Sequence, residues 1–202
     1  MKEMPIFEEV FNRLIRFPGF WVKFLIGGLL SFVPIVNIFA FGYLYRLSLR
    51  VRKSGQLVLP TWSDWLGLFH DGLRFALVWL VYWLLPILLA SLIAWLMTFV
   101  LLGALTSIFF LTVVLFSTVL FSSALYRYNM RQDLKDLLDV SLIFRMTWME
   151  IPRLILPAFV FLGLLVLLQP FYGFAIFGGF LLFLSYTSLR YQSIEENRSV
   201  SL

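Results

Sequence analysis

Residues 75–126 read FALVWLVYWLLPILLASLIAWLMTFVLLGALTSIFFLTVVLFSTVLFSSALY, 52 consecutive positions without a charged side chain. About 20 apolar residues cross a hydrocarbon core as an α-helix, so this run is long enough for two crossings, with a turn expected near Gly103. It lacks the two-residue alternation of a barrel strand. Irregular backbone is excluded as well, because hydrocarbon offers no partner to an unpaired N–H or C=O. The chain is therefore read as an all-α integral membrane protein.

Two further charge-free runs flank this one, residues 24–45 and 154–189. The 27 charged side chains, 16 basic and 11 acidic, are confined to the four segments between and beyond the runs. A soluble domain of 202 residues would spread its charges over every surface helix. The run 154–189 suits two short spans turning at Gln169-Pro170-Phe171-Tyr172-Gly173. The run 24–45 has Pro34 at its midpoint, Gly27 and Gly28 before it and Asn37 after it, which fits one kinked span or two half-helices that re-enter. Arg or Lys near the membrane ends of 46–74, 127–153 and 190–202 places those segments in the cytoplasm. Lys2, Arg13, Arg16 and Lys23 join them only if the first run re-enters, which favours re-entry. The expected architecture is a single domain over 1–202, built of helical hairpins. It has about four full spans and a re-entrant or kinked N-terminal segment. Amphipathic interfacial helices are expected at 1–18, 59–74 and 132–148. No cleavable signal peptide is expected at the N-terminus.

A short pattern recurs at the membrane exits. Leu44-Tyr45-Arg46 is followed by Arg50, and Leu125-Tyr126-Arg127 by Arg131. Each pair places two guanidinium groups on one helical face, a geometry suited to phosphate oxygens of lipid head groups, or to general attraction and topology control. After the first exit, LPTWSDWLGLFHDGLR (59–74) reads as a helix start with Thr61 as N-cap and Asp64 in the first turn. Trp62 and Trp65 are candidate interface anchors. Asp64 and Asp71, seven apart, share a helical face with His70 nearby, and Gly72 completes the motif. No third ligand or nucleophile accompanies these carboxylates, so capping is the expected role and neither catalysis nor metal binding is expected.

The stretches IGGLLSFVPIVNIFAFGYLYRLSLRV (26–51) and LPTWSDWLGLFHDGL (59–73) resemble the domain-of-unknown-function 4013 family of prokaryotic integral membrane proteins. The second matches its Leu-Pro-x-Trp-x-Asp-Trp-x-x-Leu-Phe-x-Asp-Gly-Leu pattern. The resemblance covers the first half of the chain well and the second by hydropathy only. It implies a multi-pass membrane architecture and leaves activity open.

The charge-free runs bear directly on function. Proton relays, voltage sensors and ion-coupled pumps need ionisable groups inside the membrane, and no HExxH motif is present. With no cysteine and one histidine, His70, no cofactor is expected. The net charge of +5 sits at membrane ends, so lipids are the expected partner and nucleic acid is not. Ser and Thr in the runs, among them Ser91, Thr98, Thr112, Thr118, Ser122 and Ser123, are expected to bond between helices. The first reading is a non-catalytic scaffold or accessory subunit that binds lipid or partner helices, including copies of itself. The alternative is a carrier or channel for a lipid or small apolar solute along 75–126.

Overall fold

The computed structural model describes residues 5–98 and 103–200. All of its regular elements are helical: α1 (Phe7–Ile15), α2 (Phe20–Ser31), α3 (Asn37–Ser54), α4 (Trp65–Trp79), α5 (Leu85–Thr98), α6 (Gly103–Arg131), α7 (Lys135–Leu138), α8 (Val140–Leu167) and α9 (Tyr172–Val200). A π-helical turn, Leu80–Leu84, joins α4 to α5, and a 3-10 turn, Gln169–Phe171, precedes α9. Four stretches are long and apolar enough to cross a membrane: Trp65–Thr98, Leu105–Arg131, Val140–Leu167 and Gln169–Asn197. A bent pair at the N-terminus, α1 with α2 at 96°, adds to them. The last boundary falls at the Gln-Pro-Phe turn that the sequence indicates. The turn is expected near Gly103, where α6 begins; residues 99–102 between α5 and α6 lie outside the described residues, as does Lys2.

The chain forms two compact units, one joining residues up to Ala76 with those from Val160 onward, the other Leu77–Phe159. In the first unit, α1 buries Val10 and Leu14 and leaves Glu8, Glu9, Arg13 and Arg16 exposed, as its periodicity indicates. Its inner side packs on α9, with Phe7 edge-on to Tyr186 at 5.3 Å. The run 24–45 is broken into α2 and α3 around Pro34, with Ile35 in the left-handed region at φ 73°. Proline cannot donate the helical N–H and disfavours helix at the residue before it. The two helices pack against each other and against α9. At the tip, the Tyr172 hydroxyl donates to the Phe32 carbonyl (2.6 Å). At the other end, Lys23 Nζ donates to the Leu59 carbonyl (3.1 Å), just beyond the end of α3. The start of α2 is thus tied to the segment that follows α3.

Phenylalanine rings seated over glycines hold this unit together. A Cβ on Gly27 would stand 2.2 Å from Phe177 Cζ, and one on Gly28 2.1 Å from Phe174 Cδ1. In the reverse direction, a Cβ on Gly178 would meet Phe24 at 2.7 Å and one on Gly173 would meet Phe32 at 2.5 Å. Lipid tails are as apolar as these side chains, so burial alone gives helices little reason to associate in hydrocarbon; close van der Waals packing at small residues does. The approach of α3 to α4 is closer still. A Cβ on Gly42 would lie 1.9 Å from the Leu68 carbonyl oxygen, and one on Gly72 1.9 Å from that of Ile38. The contacts are reciprocal and antiparallel, backbone on backbone.

In the second unit, the π turn ends two residues before Pro86, whose missing N–H would leave a regular α-helical ladder incomplete. The Tyr82 hydroxyl donates to the Leu137 carbonyl, Trp83 Nε1 to Thr118 Oγ1 (3.2 Å) and Thr147 Oγ1 to Ser123 Oγ (3.1 Å). Thr118 and Ser123 thus bond between helices as expected. Ser91, Thr98, Thr112 and Ser122 bond carbonyls three or four residues back in their own helices. The outward face of α5 presents Leu88, Leu89, Leu92 and Trp95, each more than half exposed, a surface suited to lipid.

Two expected interfacial helices are not separate elements. The segment 59–74 becomes helical only at Trp65 and runs on into the first long apolar stretch. Within 132–148 only α7 stands apart, because α8 begins at Val140 and continues to Leu167.

The glycine contacts give a graded expectation. Gly42→Ala forces a methyl onto a main-chain carbonyl that cannot rotate away and should cost on the order of 1–3 kcal/mol, as overpacking does. Gly163→Ala, with nothing within 4 Å of its new Cβ, should be neutral or stabilising by up to about 1 kcal/mol. Thermal unfolding in detergent compares the two; equal effects would show that the α3–α4 approach is not as close as described.

Candidate functional site

The polar cluster of the first unit lies where the α3–α4 crossing ends. Ile38, Gly42 and Arg46 follow at four-residue intervals along α3, so the guanidinium of Arg46 emerges on the face that meets Leu68 and Gly72. Arg46 Nε donates to Asp71 Oδ2 (2.7 Å), Nη2 to Asp64 Oδ2 (2.8 Å) and Nη1 to the Ser63 carbonyl (3.3 Å). Gly67 leaves the space for this arrangement: a Cβ there would stand 2.1 Å from Asp64 Oδ2 and 2.3 Å from Arg46 Nη2. Asp71 also accepts from Arg74 Nη1 at 3.3 Å. The side chains of Arg46 and Asp71 are each 18% exposed, that of Asp64 65%.

The seven-residue spacing of Asp64 and Asp71 does place both carboxylates on one side, and both reach the same arginine. The helix start differs from the expectation. Asp64, not Thr61, is the N-cap: it adopts φ 57° and its Oδ1 accepts from the Gly67 N–H (3.1 Å). Thr61 Oγ1 instead pairs with Ser63 Oγ at 2.8 Å. An aspartate tolerates the left-handed region better than most residues, and its short carboxylate reaches the first-turn N–H groups from there. The hydrogen bond from Arg46, followed by that from the Gly67 N–H, holds the Asp64 carboxyl below its usual range. Burial alone would lower the pKa of Arg46; its hydrogen bonds to Asp71 and Asp64 outweigh this and raise it.

Trp62 and Trp65 have different surroundings. Trp62 is half-buried, stacked on Tyr43 at 4.3 Å and beside Phe177 at 6.1 Å, whereas Trp65 is 47% exposed with Phe39 edge-on at 5.6 Å. His70 points its Nδ1 at the Leu66 carbonyl of its own helix (2.9 Å). Among the described residues no three His, Asp or Glu side chains gather as a metal site.

The second unit repeats the chemistry at its own exit. Arg127 Nη2 pairs with Asp136 (2.9 Å), whose side chain is only 9% exposed. Asp139 then caps α8 by accepting from the Leu142 N–H (3.2 Å), as Asp64 caps α4. Arg50 and Arg131, one turn beyond each paired arginine, are exposed. Thus Arg46 and Arg127 are turned inward onto carboxylates, and the face shared by each predicted arginine pair is divided. Gly42 and Gly67 were not singled out from sequence. The available signal is that Gly42 lies one turn before Arg46 and Gly67 within the Asp-Trp-x-Gly stretch.

A sequence model described as "Protein of unknown function (DUF4013)" matches residues 26–185. No curated protein and no solved structure matches the chain.

Removing Arg46 by Arg46→Gln leaves the largely enclosed Asp71 with only its longer contact to Arg74 and should cost about 2 kcal/mol. The double variant Arg46→Gln/Asp71→Asn should cost less than the sum of the single variants, a coupling read by unfolding in detergent. Acid provides an independent reading. Because the folded pKa of Asp64 is depressed, its contribution is complete above the unfolded value near 4 and disappears as pH falls through the lower folded value. Asp64→Asn should flatten stability in that window, and an unchanged acid profile would contradict the pairing.

Proposed function

This chain belongs to the DUF4013 family of proteins of unknown function, and on that premise we propose that it is a non-catalytic membrane scaffold or accessory subunit. Its helices hold lipid and partner helices in the plane of the cytoplasmic membrane. The observation that carries this reading is the disposition of charge. At both membrane exits the enclosed arginine is matched to aspartates of the segment that follows, Arg46 to Asp64 and Asp71, Arg127 to Asp136. Such matched, largely enclosed pairs set the geometry of helices; they leave neither an unpaired base nor a nucleophile poised beside it. The long charge-free runs contain no Asp, Glu, Lys, Arg or His to serve a coupled transport cycle.

In this reading, the α2–α3 pair enters and leaves the membrane by the cytoplasmic face, where the basic segments 46–74, 127–153 and 190–202 also lie. Re-entry is supported by the bond between Lys23 and the Leu59 carbonyl and by the opposite placement of the tip beside Tyr172. The apolar outward faces, such as that of α5, are the surfaces offered to lipid and to partner helices.

Extraction of the tagged protein in native lipid discs, followed by mass spectrometry of the intact particles, tests the proposal. A membrane protein or a second copy bound in fixed stoichiometry is expected. A monomer without protein partners whose reconstitution moves lipid or an apolar solute between leaflets would overturn the scaffold in favour of a carrier.

A further inference from the structure

With the guanidinium groups of Arg46 and Arg127 turned onto carboxylates, two other exposed arginines of the first unit lie side by side. Arg13 and Arg16 stand one turn apart on the exposed side of α1, and together with Asn12 they line an open cavity of ≈ 470 Å³. Its opposite wall is the turn after α3, Gly55, Gln56 and Leu57. Among the described residues neither arginine makes an ion pair, and no carboxylate lines the cavity. Glu9, one turn before Arg13, is exposed and forms no bridge to it.

We propose that this cavity binds a phosphate-bearing anion, with the two guanidinium groups on the phosphate oxygens and the Asn12 and Gln56 side-chain amides as further donors. Arginine presents a planar fork of N–H donors that matches phosphate geometry, and two forks on adjacent turns approach one anion from the same side. The volume falls within the range of roughly 300–1,000 Å³ typical of small-ligand sites. Phe17, Leu57 and Leu189 give the cavity an apolar margin, as an amphiphile leaving the membrane requires. The chemistry is shared by the head group of an anionic phospholipid and by free phosphate. The inference rests on the membrane-embedded reading above and does not depend on any protein partner.

The site lies outside the four positions that the membrane-exit pattern suggests. Its residues come from α1 and from a turn about 40 residues later, a juxtaposition created when α2 and α3 fold back on each other.

The test uses the full-length protein, purified in neutral detergent and delipidated. It is titrated with short-chain phosphatidylglycerol, with short-chain phosphatidylcholine and with inorganic phosphate, and occupancy is counted by native mass spectrometry. Phosphatidylglycerol should bind at one saturable site, and Arg13→Gln/Arg16→Gln should weaken it by roughly tenfold or more, the loss of a charge-assisted contact. Arg145→Gln/Arg153→Gln removes the same charge elsewhere and should leave the affinity unchanged. Competition by inorganic phosphate at matched concentration would identify the free anion as the ligand; its failure to compete would identify the lipid head group. Arg13→Lys/Arg16→Lys retains charge without the fork, serves if the glutamine variant does not fold, and should also bind more weakly. Full affinity in the lysine variant, equal loss in the Arg145/Arg153 control, or no saturable binding of either phosphatidylglycerol or phosphate would each overturn the site. Partner stoichiometry in native discs is a separate measurement, so failure here leaves the scaffold reading to its own test.

Discussion

The backbone contact between α3 and α4 at Gly42 and Gly72, closed at one end by Arg46, is the feature on which the first unit depends. In hydrocarbon, helices gain little from burying apolar side chains against each other, so their association requires either very close packing or polar pairing. Here both act along one line of α3. The glycines bring main chain to within contact of main chain, and one turn later the arginine meets two carboxylates of the neighbouring segment. Neither device suffices alone: a side chain at position 42 would separate the helices and draw Asp71 away from the guanidinium, and an unmatched Arg46 would expose charge at the edge of the apolar layer. The phenylalanine rings over Gly27, Gly28, Gly173 and Gly178 extend the same packing to α2 and α9.

Much of this was legible in the sequence. Charge-free runs fixed the number of long helices, because the alternative structures leave peptide groups unpaired in lipid. Pro34 and Pro170 marked the interruptions, and the periodicity of α1 marked its buried side. The shared face of Asp64 and Asp71 followed from their spacing. What they face did not, since Arg46 lies 18 and 25 residues away and only the return of the chain brings it there. The helix start was displaced from Thr61 to Asp64 because a left-handed aspartate is a backbone choice that composition does not announce. Likewise, glycine and phenylalanine each appear in the sequence as packing residues, but their pairing across helices exists only in the fold.

The division of the basic residues connects the fold to function. Arg46 and Arg127 are structural, matched to aspartates that follow them, and the caps Asp64 and Asp139 occupy comparable places after the two exits. The membrane-exit pattern thus marks a repeated way of tying a helix end to the next segment. Arg13 and Arg16 face an open cavity instead. On the proposed scaffold reading, the enclosed charge serves the protein's own geometry, while the apolar faces and a limited basic surface are what it presents to its surroundings.

The path of the α2–α3 pair is the most directly testable element of the proposed topology, since it brings residues 12–18 beside residues 55–57 at the cavity. The chain contains no cysteine, so Pro18→Cys and Gln56→Cys, introduced singly on either side of the hairpin, report its path directly. An impermeant thiol reagent applied to sealed right-side-out and inside-out vesicles should label both positions from the same face, the cytoplasmic one. Labelling of the two positions from opposite faces would make the first run a single crossing and contradict the account.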